Sequence, residues 1–381
     1  MKRICYVTTV PVTLTSFIIP IAKQIMAQTD WEITVICDEN QAFAESLPEG
    51  IRYIPIPMKR GISLGGIGAM LKMYQVFRKE KFDLVQYSTP NAGLYAAIAS
   101  WLSGIKYRKY HLMGFRFLGF SGLKRHIFMW LEKFACWLST DVECVSRSNL
   151  EMGIEQGIFP RKKAHVIHWG SSAGVDLERF DIQKKAQWRT ELRTQFGYTD
   201  NDCVFGFAGR ITRDKGINEM LAAFDNVNCA NKRLFIVGRM EDEDSLDACL
   251  LQRARENPHI RFHGEVRDIE KFYAMMDVLL LPSYREGFGN IVIEAEALGV
   301  PVIVTDIPGP TDAMERDITG LVVPVKDVDA LCTAMTTLAA DKNLREKMGA
   351  AGRNLVEERF DQRVLFHKIL ENRKKLLEKT T

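Results

Sequence analysis

The chain has 381 residues, 46% apolar and 26% charged, which excludes intrinsic disorder and leaves room for about two or three domains. Its eight cysteines form no C-x-x-C pair, which excludes a zinc knuckle or thioredoxin-type motif and suits a reducing compartment. The net charge of +3 hides an asymmetry: residues 1–175 hold 21 Lys/Arg against 13 Asp/Glu, the remainder 30 against 35, so the first half is the one suited to an anionic surface.

Apolar, β-rich runs alternate with helical stretches. Ile4–Thr8 is predicted as a strand, followed by a helix over 16–28. Ile4 to Ala22 is uncharged, but Pro11, Pro20, Ser16 and four threonines, with no A-x-A site after them, argue against a signal peptide or anchor. Strands follow at Glu32–Cys37 and Ile51–Pro55, then a helix over 65–79, a strand at Asp83–Tyr87 and a helix over 92–103. Leu84 to Ile105 is also uncharged, but Ser88, Pro90, Asn91 and Ser100 make it a poor membrane span. A strand at Lys109–Met113 and a long helix over 122–138 lead to strands at Asp141–Val145 and His165–His168.

The alternation then pauses. Gly170–Gly174 and the charged stretch 176–200 read as a linker. A second series begins at Val204–Ala208 and runs through Arg233–Val237, Ile260–His263, Val278–Leu281, Pro301–Val304 and Gly320–Val323. A charged helix over 361–378 closes the chain. The pattern predicts an α/β protein of two doubly wound, Rossmann-like domains joined near 170–178, with ligands in a cleft between them. The expected domains are 1–172 and 173–359, with the final segment 360–381 packing back on the first.

The dinucleotide fingerprint G-x-G-x-x-G, the P-loop, H-E-x-x-H and G-x-S-x-G are all absent. Two stretches carry chemistry. In Gly209-Arg210-Ile211-Thr212-Arg213-Asp214-Lys215-Gly216 a strand ends in a glycine turn that offers two cations before a helix, a cradle for phosphate. Alone, it is equally a surface loop. In Glu286-Gly287-Phe288-Gly289-Asn290-Ile291-Val292-Ile293-Glu294 a loop opens a helix whose N–H groups and dipole suit a diphosphate. Glu286 and Glu294, eight residues apart, are acceptors suited to hydroxyls on two parts of one ligand. The plainer reading makes Glu286 a cap and Glu294 a solvated helix residue.

Together, G-R-I-T-R-D-K-G at 209–216, the E-x7-E of Glu286 and Glu294, and G-S-S-A-G-V-D at 170–176 give the chain its resemblance to the family 4 glycosyltransferases of the two-Rossmann-domain, B-type fold. The likeness is to members of capsule, O-antigen and exopolysaccharide biosynthesis and covers essentially the whole chain. It implies a first domain that binds acceptor and a second that binds a nucleotide sugar. Arg210 and Lys215 would bind the donor diphosphate, Glu286 the sugar hydroxyls and Glu294 the ribose. Gly209 and the backbone of Gly287, Phe288, Gly289, Asn290 and Ile291 would contact sugar and phosphate, while Arg239 and Val266 would frame the base. Arg210, Lys215 and Glu286 would be the catalytic set. The resemblance further implies retention at the anomeric carbon, with cations in place of a metal and no cofactor. Asp242-Glu243-Asp244 reads as a solvated acidic loop rather than a metal site.

The first domain departs from the family pattern. Where many members carry a histidine just before a glycine after the fifth strand, this chain has Met113 before Gly114, with His111 two residues earlier on the same strand face. Hydroxyls from Thr8 to Ser16 replace the usual first-loop glycines. Thr9 and Ser16 are candidates for acceptor or phosphate, with helix capping by Thr15 or Ser16 as the plainer role. Residues 106–133 hold seven Lys/Arg, among them Arg116, Lys124 and Arg125, against the single acid Glu132, with Phe115, Phe117, Phe120, Phe128 and Trp130 interleaved. That suits an anionic membrane face or a lipid diphosphate; no nucleic-acid recognition module accompanies it.

The expected activity is transfer of a hexose or N-acetylhexosamine from a UDP-sugar to a polyprenyl-diphosphate-linked glycan of a bacterial surface polysaccharide. The setting would be the cytoplasmic face of the cell membrane, in peripheral contact with it. A UDP-N-acetylglucosamine 2-epimerase-like isomerase and a non-catalytic nucleotide-sugar-binding protein are the alternatives.

Overall fold

The computed structural model describes residues 1–58 and 64–378. The first unit, Met1–Ala173 with the segment from Arg363, is built on a sheet of β1 (Arg3–Val7), β2 (Glu32–Cys37), β3 (Ile51–Pro55), β4 (Leu84–Ser88), β5 (Tyr107–Leu112), β6 (Asp141–Cys144) and β7 (Ala164–Val166). The second, Gly174–Gln362, is built on β8 (Cys203–Ala208), β9 (Lys232–Val237), β10 (Ile260–His263), β11 (Val278–Leu281), β12 (Val302–Thr305) and β13 (Gly320–Val323). The strand orders are β3-β2-β1-β4-β5-β6-β7 and β10-β9-β8-β11-β12-β13, and each strand runs parallel to its neighbours. Each is a doubly wound sheet whose order reverses once, between β1 and β4 and between β8 and β11.

Parallel strands buried on both faces read as continuous apolar runs. In β1, Cys5 and Val7 serve one core while Ile4 and Tyr6 serve the other. The second core contains Leu365, Phe366, Ile369, Leu370 and Leu377 of the C-terminal helix Gln362–Glu378, which therefore belongs to the first unit. The units divide after Ala173 and Gln362, rather than after Ser172 and Arg359, because Val175 exchanges backbone hydrogen bonds with Phe360 and Gln362 at 2.8 and 2.9 Å.

Two elements differ from the sequence expectation. The stretch 176–200 is not a linker: Lys185–Phe196 is a helix with Trp188, Leu192 and Arg193 buried. Its arginines are structural, Arg189 and Arg193 each binding Asp277 at 2.6 Å. The first helix begins not at Ser16 but at Pro11, whose missing N–H costs nothing at the first helical position. It passes through a π-helical stretch, Leu14–Ile18, into Ile19–Gln28. Pro20 withholds the N–H that an α-helical turn would direct to Ser16, and the wider turn accommodates it. Ser16 is therefore interior to the helix and exposed, not its cap.

A charge cluster pins the C-terminal helix to the first sheet. Arg373, almost wholly buried, donates to Glu143 at 2.6 and 3.2 Å and to Gln86 at 2.8 Å. Lys109 binds Glu143 at 3.0 Å, Asp141, and Asn372 at 3.3 Å. Burial alone would push the Glu143 carboxyl up, but Arg373 and Lys109 hold it well below its ordinary range. His111 lies beside this cluster, its Nδ1 3.2 Å from Ser88 Oγ and its Nε2 3.9 Å from Glu143 Oε1. Burial lowers its pKa from 6.5 to about 4, against the pull of Glu143. Glu132, also buried, is raised from 4.5 to about 7 by desolvation, against a 2.6 Å hydrogen bond from Tyr110.

These two groups act on stability with opposite sign. Between about pH 6.5 and 4 the unfolded chain binds a proton at His111 that the folded chain refuses, so this term weakens the fold as pH falls. Between about pH 4.5 and 7 folded Glu132 holds a proton the unfolded chain lacks, so this term weakens the fold as pH rises. Denaturant titrations across that range should show stability rising more steeply with pH in Glu132→Gln than in wild type, and less steeply in His111→Gln.

Candidate active site

In a doubly wound sheet the crevice for a ligand opens beyond the strand carboxyl ends where the order reverses. In the second unit that place lies between β8 and β11, whose following loops are 209–216 and 282–289. The loops touch. Gly216 has φ +70°, and a Cβ there would collide with the Pro282 carbonyl oxygen. Tyr284 N–H donates to Asp214 O at 2.8 Å, and Arg285 binds the Asp214 carboxylate at 2.7 Å. At the neighbouring strand end, Gly238 has φ +145° and a Cβ would strike the Gly209 carbonyl oxygen; Ile211 N–H donates to Arg239 O at 2.8 Å.

Charge gathers on this scaffold. Lys215 Nζ lies 2.5 Å from Glu286 Oε1, which also accepts from Ser283 Oγ at 2.8 Å. Arg210, half exposed, pairs with Glu241 at 2.9 Å. The helix Asn290–Ala297 starts four residues after Glu286, with Gly289 as its N-cap and no side chain capping it. Phe288 turns its ring inward against Phe360, with centroids 5.5 Å apart, so this loop offers backbone rather than side chain at that position. Gly287 and Ile291 are half-buried.

Glu294 is no solvated helix residue. It is half-buried and accepts from the buried Tyr273 hydroxyl at 3.0 Å, and desolvation raises its pKa despite that bond. Arg179 donates to Glu270 at 2.9 Å and to Arg267 O at 2.8 Å, tying the loop that carries half-buried Val266 to the helix Ile269–Met275. Arg239 is exposed. The sequence pattern assigns no role to Asp214, inside the first motif, or to Ser283 and Arg285, just before the second. Tyr273 and Arg179 lie on other elements and had no local signal.

Residues 22–179 match the family model of Glycosyltransferase Family 4, and residues 189–355 that of Glycosyl transferases group 1. The capsular polysaccharide biosynthesis glycosyltransferase CapM of Staphylococcus aureus is 34% identical over 318 residues, 82% of each chain. The chain belongs to the family 4 glycosyltransferases. The isomerase and non-catalytic readings fall with that identification. A UDP-Gal:alpha-D-GlcNAc-diphosphoundecaprenol alpha-1,3-galactosyltransferase of Escherichia coli is 26% identical over 84% of this glycosyltransferase and 83% of its own length. HepE of Anabaena, solved with UDP and glucose, has a TM-score of 0.80 at 20% identity, covering 98% of this chain and 100% of its own. The lipopolysaccharide-biosynthesis glycosyltransferase WaaG has a TM-score of 0.77 at 16% identity, covering 97% and 99%. These two likenesses show the B-type fold.

The first unit of the glycosyltransferase has its own reversal, between β1 and β4, and hydroxyls rather than charges cross it. Thr9 and Thr89 Oγ1 atoms lie 2.8 Å apart, and Thr9 N–H donates to Thr89 Oγ1 at 3.1 Å. Thr89 is held at φ +69°, a conformation rare for a β-branched residue. Arg116 donates to Asn91 Oδ1 at 3.0 Å, beside this reversal. His111 is buried in the charge cluster rather than presented on a surface, while Met113 is half-buried beyond the end of β5. Lys124 is exposed and Arg125 half-buried over the Phe117 ring. Among the described residues no three His, Cys, Asp or Glu side chains gather to hold a metal ion. Glu243 of the acidic loop pairs with Arg255 at 2.9 Å.

The glycine contacts give a direct expectation. Gly238→Ala should lower stability by more than about 1 kcal/mol in thermal unfolding, because both φ and the backbone contact oppose a side chain. Gly264→Ala, with open space around it, should stay within about 0.5 kcal/mol.

Proposed function

We propose that this glycosyltransferase moves a hexose or N-acetylhexosamine from a UDP-sugar, with retention, to a polyprenyl-diphosphate-linked glycan of a bacterial surface polysaccharide. The observation that carries the donor half is the 2.5 Å pair of Lys215 and Glu286 at the β8/β11 reversal, beside a helix N-terminus with no side-chain cap. A cation, the N–H groups of a helix start and a hydroxyl acceptor there match a sugar diphosphate. The acceptor half is supported by the names of the relatives, one acting on a diphosphoundecaprenol-linked sugar and one in capsule biosynthesis. UDP as the nucleotide is supported by HepE. The lipid-linked acceptor would place the enzyme at the cytoplasmic face of the cell membrane, in peripheral contact with anionic lipid.

As the bond from the anomeric carbon to the diphosphate breaks, negative charge grows on the β-phosphate. Lys215, Arg210 and the N–H groups at the start of the Asn290 helix stabilise it. Glu286 accepts from the sugar hydroxyls and so orients the ring, with Ser283 fixing its carboxylate. Glu294, held by Tyr273, accepts from the ribose. Val266 and Arg239 lie on the loops that frame the base. The leaving diphosphate is met by protein cations, so turnover should survive EDTA; loss restored by Mg²⁺ would refute a metal-free mechanism.

Thermal unfolding with UDP, GDP, ADP and CDP tests the donor assignment. A nucleotide at 100 times its dissociation constant stabilises by about 2.7 kcal/mol, and UDP alone should do so. A shift with GDP or ADP instead would overturn the UDP assignment. Arg210→Ala should lower turnover by about 10²-fold; unchanged turnover would remove Arg210 from the mechanism.

A further inference from the structure

The helix Gly122–Leu138 keeps its sequence-expected place, and the aromatic residues read from the basic segment are sorted by burial. Phe115 and Phe117, read from the sequence as part of an apolar membrane face, are buried. Trp130, from the same reading, is 61% exposed, and it is joined by Leu123, Ile127 and Trp137 at 76, 47 and 66% exposure, with half-buried Phe134 between the tryptophans. Steps of four, three, four and three residues put all five on one helix face. The Phe134 ring stacks on Trp130 at 5.4 Å and on Trp137 at 6.0 Å, so the stripe is a continuous aromatic ledge. Soluble proteins seldom leave such a contiguous surface in water without a partner.

The charge beside the ledge selects the partner. Lys124 and Lys133 are exposed on the same helix. Between residues 106 and 140 the one carboxylate is Glu132, and it is buried against Tyr110. The charge that this segment exposes is thus all basic. A second copy packed face to face would set basic surface against basic surface with no carboxylate of the segment to oppose it. No helix among the described residues is long and apolar enough to cross a membrane. An aromatic ledge flanked by lysines on such a helix suits the headgroup layer of an anionic bilayer. The helix follows the carboxyl end of β5, the end of the sheet at which Thr9 and Thr89 meet.

We propose that the Leu123–Trp137 ledge is the surface on which this glycosyltransferase lies on an anionic membrane, with Trp130 and Trp137 entering the headgroup layer. The inference deepens the lipid-linked reading and rests on it for turning the carboxyl end of the first sheet toward the lipid. The test is flotation of the full chain with vesicles of mixed phosphatidylglycerol and phosphatidylcholine. Wild type should float, and the double variant Trp130→Ser/Trp137→Ser should lose partitioning by about tenfold or more. Lys124→Gln/Lys133→Gln should lose the preference for phosphatidylglycerol over pure phosphatidylcholine. Stabilisation of the tryptophan variant by UDP, equal to that of wild type, shows that its fold and donor site are intact. Equal flotation of variant and wild type would overturn the proposal, as would a wild type that ignores vesicles and forms a dimer dispersed by the tryptophan changes. Flotation through the ledge without transfer to any lipid-linked glycan would sink the acceptor assignment and leave the surface standing.

Discussion

Everything proposed for the donor site depends on two backbone segments meeting where the second sheet reverses. The Pro282 carbonyl stands where any side chain at residue 216 would have to go. Only with glycine there can the loops after β8 and β11 close on one another. That closure brings Lys215, from one loop, to Glu286, from the other, although 71 residues separate them. Parallel pairing of Val278 with Phe205 and Leu279 with Gly206 fixes the height of the two strand ends, and the charges inherit that register.

The two units solve the same topological problem with different chemistry. At the β8/β11 reversal the loops are bridged by ion pairs, Lys215 with Glu286 and Arg285 with Asp214. At β1/β4 they are bridged by the neutral hydroxyls of Thr9 and Thr89. The first suits a charged diphosphate. The second leaves cations to the surrounding surface, Arg116 near the reversal and the lysines of the Gly122–Leu138 helix farther out. Not every cation of the first unit serves a surface: Lys109 and, from the C-terminal helix, Arg373 lie buried inside it against Glu143 and Asp141.

Strand positions were legible because a strand buried on both faces leaves an unbroken apolar run, as in Val278–Leu281. The donor-site motifs were legible because the chemistry sits within two short segments. What could not be read was placement across the fold. Tyr273 gives no sign in sequence that it reaches Glu294, 21 residues on and in another helix. The two arginines of 185–196 read as those of a solvated linker, yet both neutralise Asp277. Pro11 and Pro20 together describe a helix that starts early and widens, but counting apolar residues hides it. In the basic segment, composition showed that aromatic and cationic residues mix; only the helix geometry sorts Phe117 inward and Trp137 outward.

Because Glu286 holds Lys215, a diphosphate and this carboxylate compete for one ammonium. Calorimetric titration of UDP into wild type, Lys215→Ala and Glu286→Gln tests that relation most directly. UDP affinity should fall about tenfold or more in Lys215→Ala, as a charge-assisted bond is lost. It should be unchanged or tighter in Glu286→Gln, whose amide no longer competes as an anion, while sugar transfer by that variant falls. Equal weakening of UDP binding by both substitutions would contradict this competition.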